Sequence, residues 1–164
     1  MKVKDVMTSE VRTCTRETNL AKVAEIMWIN DIGILPVVDE SRRLVGLITD
    51  RDVCVAAGTR PLLAAQITAG SVMSGRSFVC KPDDDLKSAL RTMRTQRVRR
   101  VPVVDSSGVI QGLLSIDDIA IAAQKGGDRS AVTFEDVVLT LKALSQHDLP
   151  ARIESGQAIA VAAR

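Results

Sequence analysis

The feature of this sequence that most constrains its fold is an internal repeat. Shifting the chain by 66 positions, without a gap, places one half of the sequence on the other. Two units are fewer than the three or more that a stacked solenoid needs, so we expect a pair related by a pseudo-twofold axis. The superposed residues are Val6-Met7 with Val72-Met73, Cys14 with Cys80, Leu20 with Leu86, Met27 with Met93, Pro36 to Asp39 with Pro102 to Asp105, Gly46-Leu47 with Gly112-Leu113, Asp52 with Asp118, and Ala56-Ala57 with Ala122-Ala123.

Each unit shows the same order of hydrophobic periods. An i, i+3, i+4, i+7 pattern predicts one amphipathic helix from Leu20 and another from Leu86, with Asn19 and Asp85 as N-caps. Two short apolar runs joined by a polar turn then predict a hairpin, and a helix of about two turns follows it. The runs are Leu35 to Val38 with Leu44 to Thr49, and Val101 to Val104 with Val109 to Ser115; the following helices begin at Asp50 and Ile116.

These elements predict the α/β class, with two tandem β-α-β-β-α repeats around a pseudo-twofold axis. The first strand of each repeat is expected near Thr13-Cys14 and near Val79-Cys80. Thr133 and Asp136 resemble a capping box, which predicts a C-terminal helix from Phe134 to about Ser145. The expected boundaries are 3–57 for repeat 1, 58–67 for the connector, 68–124 for repeat 2, 133–146 for the C-terminal helix and 147–164 for a loose tail.

The composition argues against several classes of function. The net charge is only +2, and the aromatic residues are two Phe and one Trp, so neither an electrostatic attraction to nucleic acid nor a stacking platform is expected. No apolar run approaches the roughly 20 residues of a membrane span, and the start of the chain does not resemble a signal peptide. We therefore expect a cytoplasmic protein without membrane contact.

The residues that most often carry catalysis or bind metals are sparse. Cys14, Cys54 and Cys80 are odd in number and widely spaced, which predicts reduced, buried thiols. The lone His147 lies beyond the predicted final helix, where it is expected at the surface. No metal cluster and no catalytic triad can be assembled from these residues, so we expect no enzyme activity and no catalytic cofactor.

The duplicated motifs resemble the CBS domain family, named after cystathionine β-synthase, whose tandem pairs are called Bateman modules. The resemblance covers about Val3 to Gln124 and is most specific in three features. These are the paired Pro-Val-Val-Asp segments, Gly-Leu-Ile-Thr-Asp-Arg-Asp in repeat 1, and Gly-Leu-Leu-Ser-Ile-Asp-Asp in repeat 2. The resemblance implies two clefts between the repeats that bind adenosine-type ligands: AMP, ADP, ATP or NAD(H).

The resemblance also assigns residues to the clefts. Thr49 with Asp52, and Ser115 with Asp118, match the pattern in which a hydroxyl meets phosphate and a carboxylate accepts from the ribose diol. The chemistry suits these side chains, because they flank a helix start where free N–H groups favour phosphate and an ionised Asp only accepts hydrogen bonds. A plain helix cap made by the hydroxyl is the competing interpretation.

The base is expected, by the same resemblance, against backbone and apolar side chains before each Pro-Val-Val strand. That implies Ile32, Gly33 and Ile34 in repeat 1, Val98, Arg99 and Arg100 in repeat 2, and Val11 as a further wall. Gly33 is suited to close ligand approach because it has no side chain. Arg100 matches a phosphate-binding position of the family, whereas its repeat-1 counterpart is Ile34, so the two clefts are expected to differ.

Two further features leave alternatives open. Arg91, Arg94, Arg97, Arg99 and Arg100 form the sharpest basic cluster, in which Arg91 and Arg94 are interpreted as a solvated surface. Trp28 either packs in the core or contributes to a dimer face on the first helix.

The sequence thus predicts a regulatory adenine-nucleotide sensor that acts as a homodimer or through an unknown effector protein. The alternatives are a structural dimerisation module with vestigial clefts, and nucleic-acid binding through the Arg91 to Arg100 cluster.

Overall fold

The computed structural model describes residues 1–75, 77–126 and 131–146. In these ranges the chain forms two like halves, each with a helix, an antiparallel hairpin and a second helix, and one more helix follows the second half. The helices are α1 (Leu20–Ile29), α2 (Asp50–Thr59), α3 (Leu86–Gln96), α4 (Ile116–Ala122) and α5 (Phe134–Ser145), and the strands are β1 (Ile34–Val38), β2 (Leu44–Thr49), β3 (Arg100–Val104) and β4 (Ile110–Ser115).

The predicted first strand of each repeat is reduced to a single parallel bridge. Cys14 pairs with Val37, and Cys80 pairs with Val103. In repeat 1 the Cys14 N–H donates to the carbonyl of Pro36 at 3.1 Å. The next bond of a parallel ladder would need an N–H on Pro36, which proline lacks, so the pairing stops there. The Pro-Val-Val motif therefore shortens the strand beside it.

The two halves exchange their leading segments. Thr8 forms an antiparallel bridge with Leu113 on β4, and Ser74 forms the equivalent bridge with Leu47 on β2. Both bridges have two backbone hydrogen bonds of 2.9 to 3.0 Å. Each repeat therefore supplies the segment that lies against the other repeat's hairpin.

The hairpins also meet each other at the pseudo-twofold axis. The Leu44 N–H donates to the Gly108 carbonyl at 3.0 Å, and the Ile110 N–H donates to the Arg42 carbonyl at 3.1 Å. Val38, Val104, Ile110 and Leu44 pack together at this junction. This contact fixes the relative position of the two repeats.

Each repeat has its own apolar core, and α5 makes the two cores unequal. α5 packs against α3 and α4, and buries Val137, Thr140 and Leu144 in the core of repeat 2. On the corresponding side of repeat 1, Trp28 is 87% exposed on α1. The Trp28 side chain therefore does not pack in the core of this chain.

Several details of the sequence prediction need correction. Cys54 is exposed, because it lies on the outer side of α2, whereas Cys14 and Cys80 are buried as predicted. Asp85 is the N-cap residue of α3, as predicted, but its side chain makes no capping hydrogen bond to the described backbone, whereas Asn19 accepts from Lys22 N–H at 2.9 Å. α2 has 10 residues and ends at Thr59, so it is longer than the expected two turns.

The capping box of α5 is formed at Thr133 and Asp136, as predicted. His147 and the tail expected over 147–164 lie outside the described residues.

Candidate functional site

A cavity of about 820 Å³ lies between the two halves. Repeat 1 contributes Val11 and the segment Ile32 to Ile34, and repeat 2 contributes Arg100, Ser115 and Asp118. This volume is within the range of small-molecule sites, which is about 300–1,000 Å³. The remaining lining residues are Thr8, Ser9, Glu10, Arg12, Asn30, Asp31, Arg42, Leu113 and Asp117.

The strand register explains how the repeat-2 residues reach one cavity. Arg100 is the first residue of β3 and pairs directly with Ser115, the last residue of β4. Ser115 is also the N-cap of α4, so Asp118 lies one helical turn beyond it. An antiparallel pair places its two side chains close together. Arg100, Ser115 and Asp118 therefore form one group, although fifteen or more positions separate Arg100 from the other two in the sequence.

Ser115 and Asp118 are joined by a reciprocal capping box. The Ser115 hydroxyl donates to Oδ2 of Asp118 at 2.7 Å, and the backbone N–H of Ser115 donates to the same oxygen at 2.8 Å. The Asp118 N–H donates back to the hydroxyl at 3.0 Å. Among the described residues, the hydrogen bonds to this carboxylate all use Oδ2, so Oδ1 remains an acceptor for a ligand.

The same box recurs at two other places. Thr49 and Asp52 form it at the start of α2, with the hydroxyl 2.7 Å from Oδ2. Thr133 and Asp136 form it at the start of α5, with the corresponding distance 3.0 Å. The third copy lies outside the repeats, so the motif is sufficient as a helix cap without any ligand. What distinguishes Ser115 and Asp118 is that they also line the cavity.

The cavity carries charges of both signs. Glu10, Asp31, Asp117 and Asp118 supply carboxylates, and Arg12, Arg42 and Arg100 supply guanidinium groups. Arg12 is held by Asn30, since its Nε donates to Oδ1 at 3.0 Å. Among the described residues, neither Arg42 nor Arg100 forms an ion pair. Two cations are therefore available to a ligand.

The other predicted site residues lie where the pseudo-twofold axis would place a second site, equivalent to the cavity of Ser115 and Asp118. Thr49 is paired with Ile34, as Ser115 is paired with Arg100. Val98 packs against the core of repeat 2, and the exposed Arg99 accepts the Ile116 N–H at 2.9 Å with its carbonyl. Thr49, Asp52, Val98 and Arg99 do not line the 820 Å³ cavity.

Gly33 lies close to the side chain of Asp50. A Cβ atom at this position would lie 2.9 Å from Oδ2 of Asp50. The space beside Gly33 is thus taken by a carboxylate of the same chain. Gly33 still lines the cavity with its backbone.

The arginine cluster is divided by the fold. Arg91 and Arg94 border a small hollow between α3 and α5, together with Lys87 and Asp136. Lys87 and Asp136 are 3.8 Å apart. The pKa of Asp136 is lowered, mainly because the Thr133 backbone N–H donates to it. Of the five clustered arginines, Arg100 is the one that lines the large cavity.

Of the N-terminal segment the sequence predicted only Val11 at the site, and it did not predict any contribution of the hairpin turn. Thr8, Ser9 and Glu10 reach the cavity because their segment crosses to β4, which only the tertiary structure shows. Arg42 reaches it from the turn between β1 and β2. One signal in the sequence pointed to Arg42: the 66-residue shift places it on Gly108, an exchange of a cation for a residue without a side chain.

Within residues 1–75, 77–126 and 131–146, no three His, Cys, Asp or Glu side chains are grouped so that they could hold a metal ion. Over the same residues, no helix combines the length and apolar character needed to cross a bilayer.

The two repeats of this chain are similar to known protein domains. A family model described as the CBS domain matches residues 3–58 and again residues 69–125. CBS domain-containing protein YhcV of Bacillus subtilis is 30% identical over 119 residues, which are 73% of this chain and 83% of that protein. Hypoxic response protein 1 of Mycobacterium tuberculosis is 32% identical over 120 residues, covering 71% of this chain and 81% of that protein.

A solved structure extends the match to three dimensions. The CBS domain pair of protein MJ0100, in complex with 5′-methylthioadenosine and S-adenosyl-L-methionine, superposes with a TM-score of 0.67 and 26% identity. The match covers 74% of this chain and 94% of that chain. Because the matched segments are the two repeats and make up more than half of the sequence, this chain belongs to the CBS domain family, as a tandem CBS pair.

Proposed function

We propose that this protein is a non-catalytic regulatory module that binds an adenosine-type ligand in the cavity between its two repeats. The observation that carries the proposal is the meeting of Ser115, Asp118 and Arg100 with the Ile32 to Ile34 segment around one 820 Å³ cavity. These groups come from both repeats, so a ligand that binds them contacts both halves at once.

The side chains suit the parts of an adenosine monophosphate. The free Oδ1 of Asp118 can accept hydrogen bonds from a ribose diol, and Arg100 can donate two parallel bonds to a phosphate. Val11, Ile32 and Ile34 offer apolar walls for the base, next to the backbone of Gly33. The related CBS pair of protein MJ0100 was solved with two adenosine compounds, which supports the same class of ligand here.

We propose a second, pseudo-symmetric site around Thr49 and Asp52, with Val98 and Arg99 beside it. Its capping box has the same geometry as the box of Ser115 and Asp118. AMP, ADP, ATP and NAD(H) are the candidate ligands for the pair of sites. We also propose a cytoplasmic homodimer whose signal passes through self-association or an effector protein. Cys14, Cys54 and Cys80 are not paired in disulfides, which fits this compartment.

The structural-dimer alternative predicts that the cavity stays empty, and it is tested directly by mass spectrometry of small molecules released from freshly purified protein. An adenosine compound in stoichiometric amount supports the proposal.

A second test is thermal unfolding with added AMP, ATP, NAD or GTP. A ligand that binds only the folded state at 100 times its Kd stabilises it by about 2.7 kcal/mol, which corresponds to a Tm increase of roughly 5–10 °C.

GTP should stabilise less than AMP if backbone groups read the base. If no adenosine compound is released and none raises the Tm, the module is a structural dimer without a functioning site.

The nucleic-acid alternative requires tight DNA or RNA binding at 150 mM salt, lost on replacing Arg94 and Arg97. We expect no such binding, because the net charge is only +2.

A further inference from the structure

Arg42 has a backbone conformation that its residue type disfavours. Its φ is +59°, in the left-handed region, at the turn between β1 and β2. The equivalent residue in repeat 2 is Gly108, with φ of +82°. Glycine adopts this conformation freely, whereas a side chain with a Cβ is strained in it. Repeat 1 thus carries an arginine where the turn favours glycine.

The turn itself imposes this conformation in both repeats. Asp39 Oδ1 accepts the N–H groups of Ser41 and Arg43 at 2.9 and 2.8 Å. Asp105 Oδ1 accepts the corresponding groups of Ser107 and Val109 at 2.8 and 3.0 Å. Because the two turns are built alike, the arginine at position 42 is not needed to form its turn.

Arg42 instead lines the cavity, together with Arg100 from the other repeat. Its carbonyl accepts the Ile110 N–H at 3.1 Å, so repeat 2 fixes the position of its backbone. Its side chain is exposed, and within the described part of the chain it forms no ion pair. A strained residue that lines a ligand cavity is a candidate for function.

The carboxylates of the cavity explain why a second cation is needed there. Glu10, Asp31 and Asp117 line the same space and would repel an anionic group. A phosphate monoester is close to a dianion at neutral pH, so a single guanidinium group balances only part of its negative charge. Two guanidinium groups can offer parallel hydrogen bonds to different phosphate oxygens.

We propose that Arg42 is a specificity residue that binds the phosphate of the ligand jointly with Arg100, so that this cavity selects a phosphorylated adenosine compound over the bare nucleoside. The inference rests on the proposed function. At the pseudo-symmetric position, Gly108 and Ile34 stand in place of Arg42 and Arg100. Of the two proposed sites, therefore, only the cavity of Ser115 and Asp118 has this pair of arginines for a phosphate.

The test is calorimetric titration with AMP and with adenosine, using the full chain. Arg42→Gly removes the guanidinium and places the residue that the turn favours, so the Tm should be unchanged or higher. AMP affinity should fall by about 10-fold or more, the loss expected for a charged hydrogen bond. Adenosine affinity should change by less than about 2-fold, since it has no phosphate. Arg42→Lys should retain more AMP affinity than Arg42→Gly.

Arg43→Ala is the matched control, because it removes the same charge from the neighbouring exposed position, which does not line the cavity. It should leave AMP affinity nearly unchanged. If the unaltered protein binds AMP and Arg42→Gly binds it equally well, the role of Arg42 is wrong and the proposed function stands. An equal loss in Arg43→Ala would also overturn it, because the effect would then be long-range. If the unaltered protein binds neither AMP nor adenosine, the role of Arg42 is refuted, while the proposed function is decided by the released ligands and the Tm series.

Discussion

Gly112 on β4 and Met7 in the leading segment are in such close contact that no side chain fits between them. A Cβ atom on Gly112 would lie 2.6 Å from Sδ of Met7 and 2.8 Å from the carbonyl oxygen of Thr8. Gly46 and Met73 repeat the relationship in the other half, at 2.8 Å. These glycines allow each leading segment to cross onto the opposite hairpin.

Gly112→Ala should therefore destabilise the protein. The added methyl group forces the Thr8 backbone away from β4, at a cost of about 1–3 kcal/mol. Urea unfolding measures this as a lower transition midpoint with an unchanged slope. Gly58→Ala on α2 is the control, because nothing lies within 4 Å of the added atom. It should leave the stability equal or slightly higher. Equal midpoints for both variants would contradict the close contact.

Asp118→Ala should separate the capping role of this carboxylate from its role in binding. Loss of the box at α4 should cost roughly 0.5–1.5 kcal/mol of stability. Asp136→Ala removes the same kind of box at α5, away from the large cavity, and should cost a similar amount. Of these two variants, only Asp118→Ala should remove the tighter step of AMP binding, measured by calorimetry below each variant's Tm. Undiminished AMP binding by Asp118→Ala would leave the carboxylate as a cap alone.

The two sites should bind a phosphorylated adenosine compound unequally. Arg100 lines the cavity of Ser115 and Asp118. At the proposed site of Thr49 and Asp52, the residue equivalent to Arg100 is Ile34. A charged hydrogen bond contributes about 1.5–3 kcal/mol, or roughly 10- to 150-fold in affinity. Asp118→Ala should remove the tighter calorimetric step and Asp52→Ala the weaker one. Arg100→Ala should weaken AMP much more than adenosine. Loss of the tight step in Asp52→Ala would reverse the assignment.

Trp28 should report on dimerisation. It is the single Trp of the chain and is 87% exposed on α1, next to Ile29. If this face forms the dimer, burial of the indole shifts its emission to shorter wavelength as the concentration rises. Trp28→Glu should give a monomer by light scattering. Leu63→Glu changes an exposed apolar residue within the connector and should leave the dimer intact. A stable interface needs about 1,000 Å² in total. A monomeric unaltered protein at micromolar concentration would refute this prediction.

The three thiols should react at very different rates. Burial raises the pKa of Cys14 to about 11 and that of Cys80 to about 12, whereas Cys54 is exposed. At pH 8 a thiol reagent should modify one cysteine quickly in the native protein and all three in denaturant, and Cys54→Ser should abolish the fast reaction.

The same shifts set a pH dependence. Folding favours the protonated forms of Cys14 and Cys80, so their contribution to stability is complete below 9.0, the ordinary value, and decreases as the pH rises toward about 11. Cys14→Ala should reduce this alkaline loss. In the thiol-labelling experiment above, rapid modification of two or more cysteines in the native protein would contradict the burial of Cys14 and Cys80.

The sequence alone was sufficient for most features that depend on local pattern or on the duplication. The helices from Leu20 and Leu86, the two hairpins, and the capping box at Thr133 follow from periodicity and short-range hydrogen bonding. The family was also evident from the paired Pro-Val-Val-Asp segments, and the family comparison confirmed it. Such features are predictable because each depends on residues only a few positions apart.

The tertiary structure decided which of these residues share a cavity. The crossing of Thr8 onto β4 brings Glu10 to the site, and the junction of the two hairpins brings Arg42 beside repeat 2. The structure also separated Arg100 from Arg91 and Arg94, which the sequence grouped together. These outcomes depend on pairing between segments about 65 to 105 residues apart. No local period encodes such pairing, because it is fixed only when the two repeats pack around their common axis.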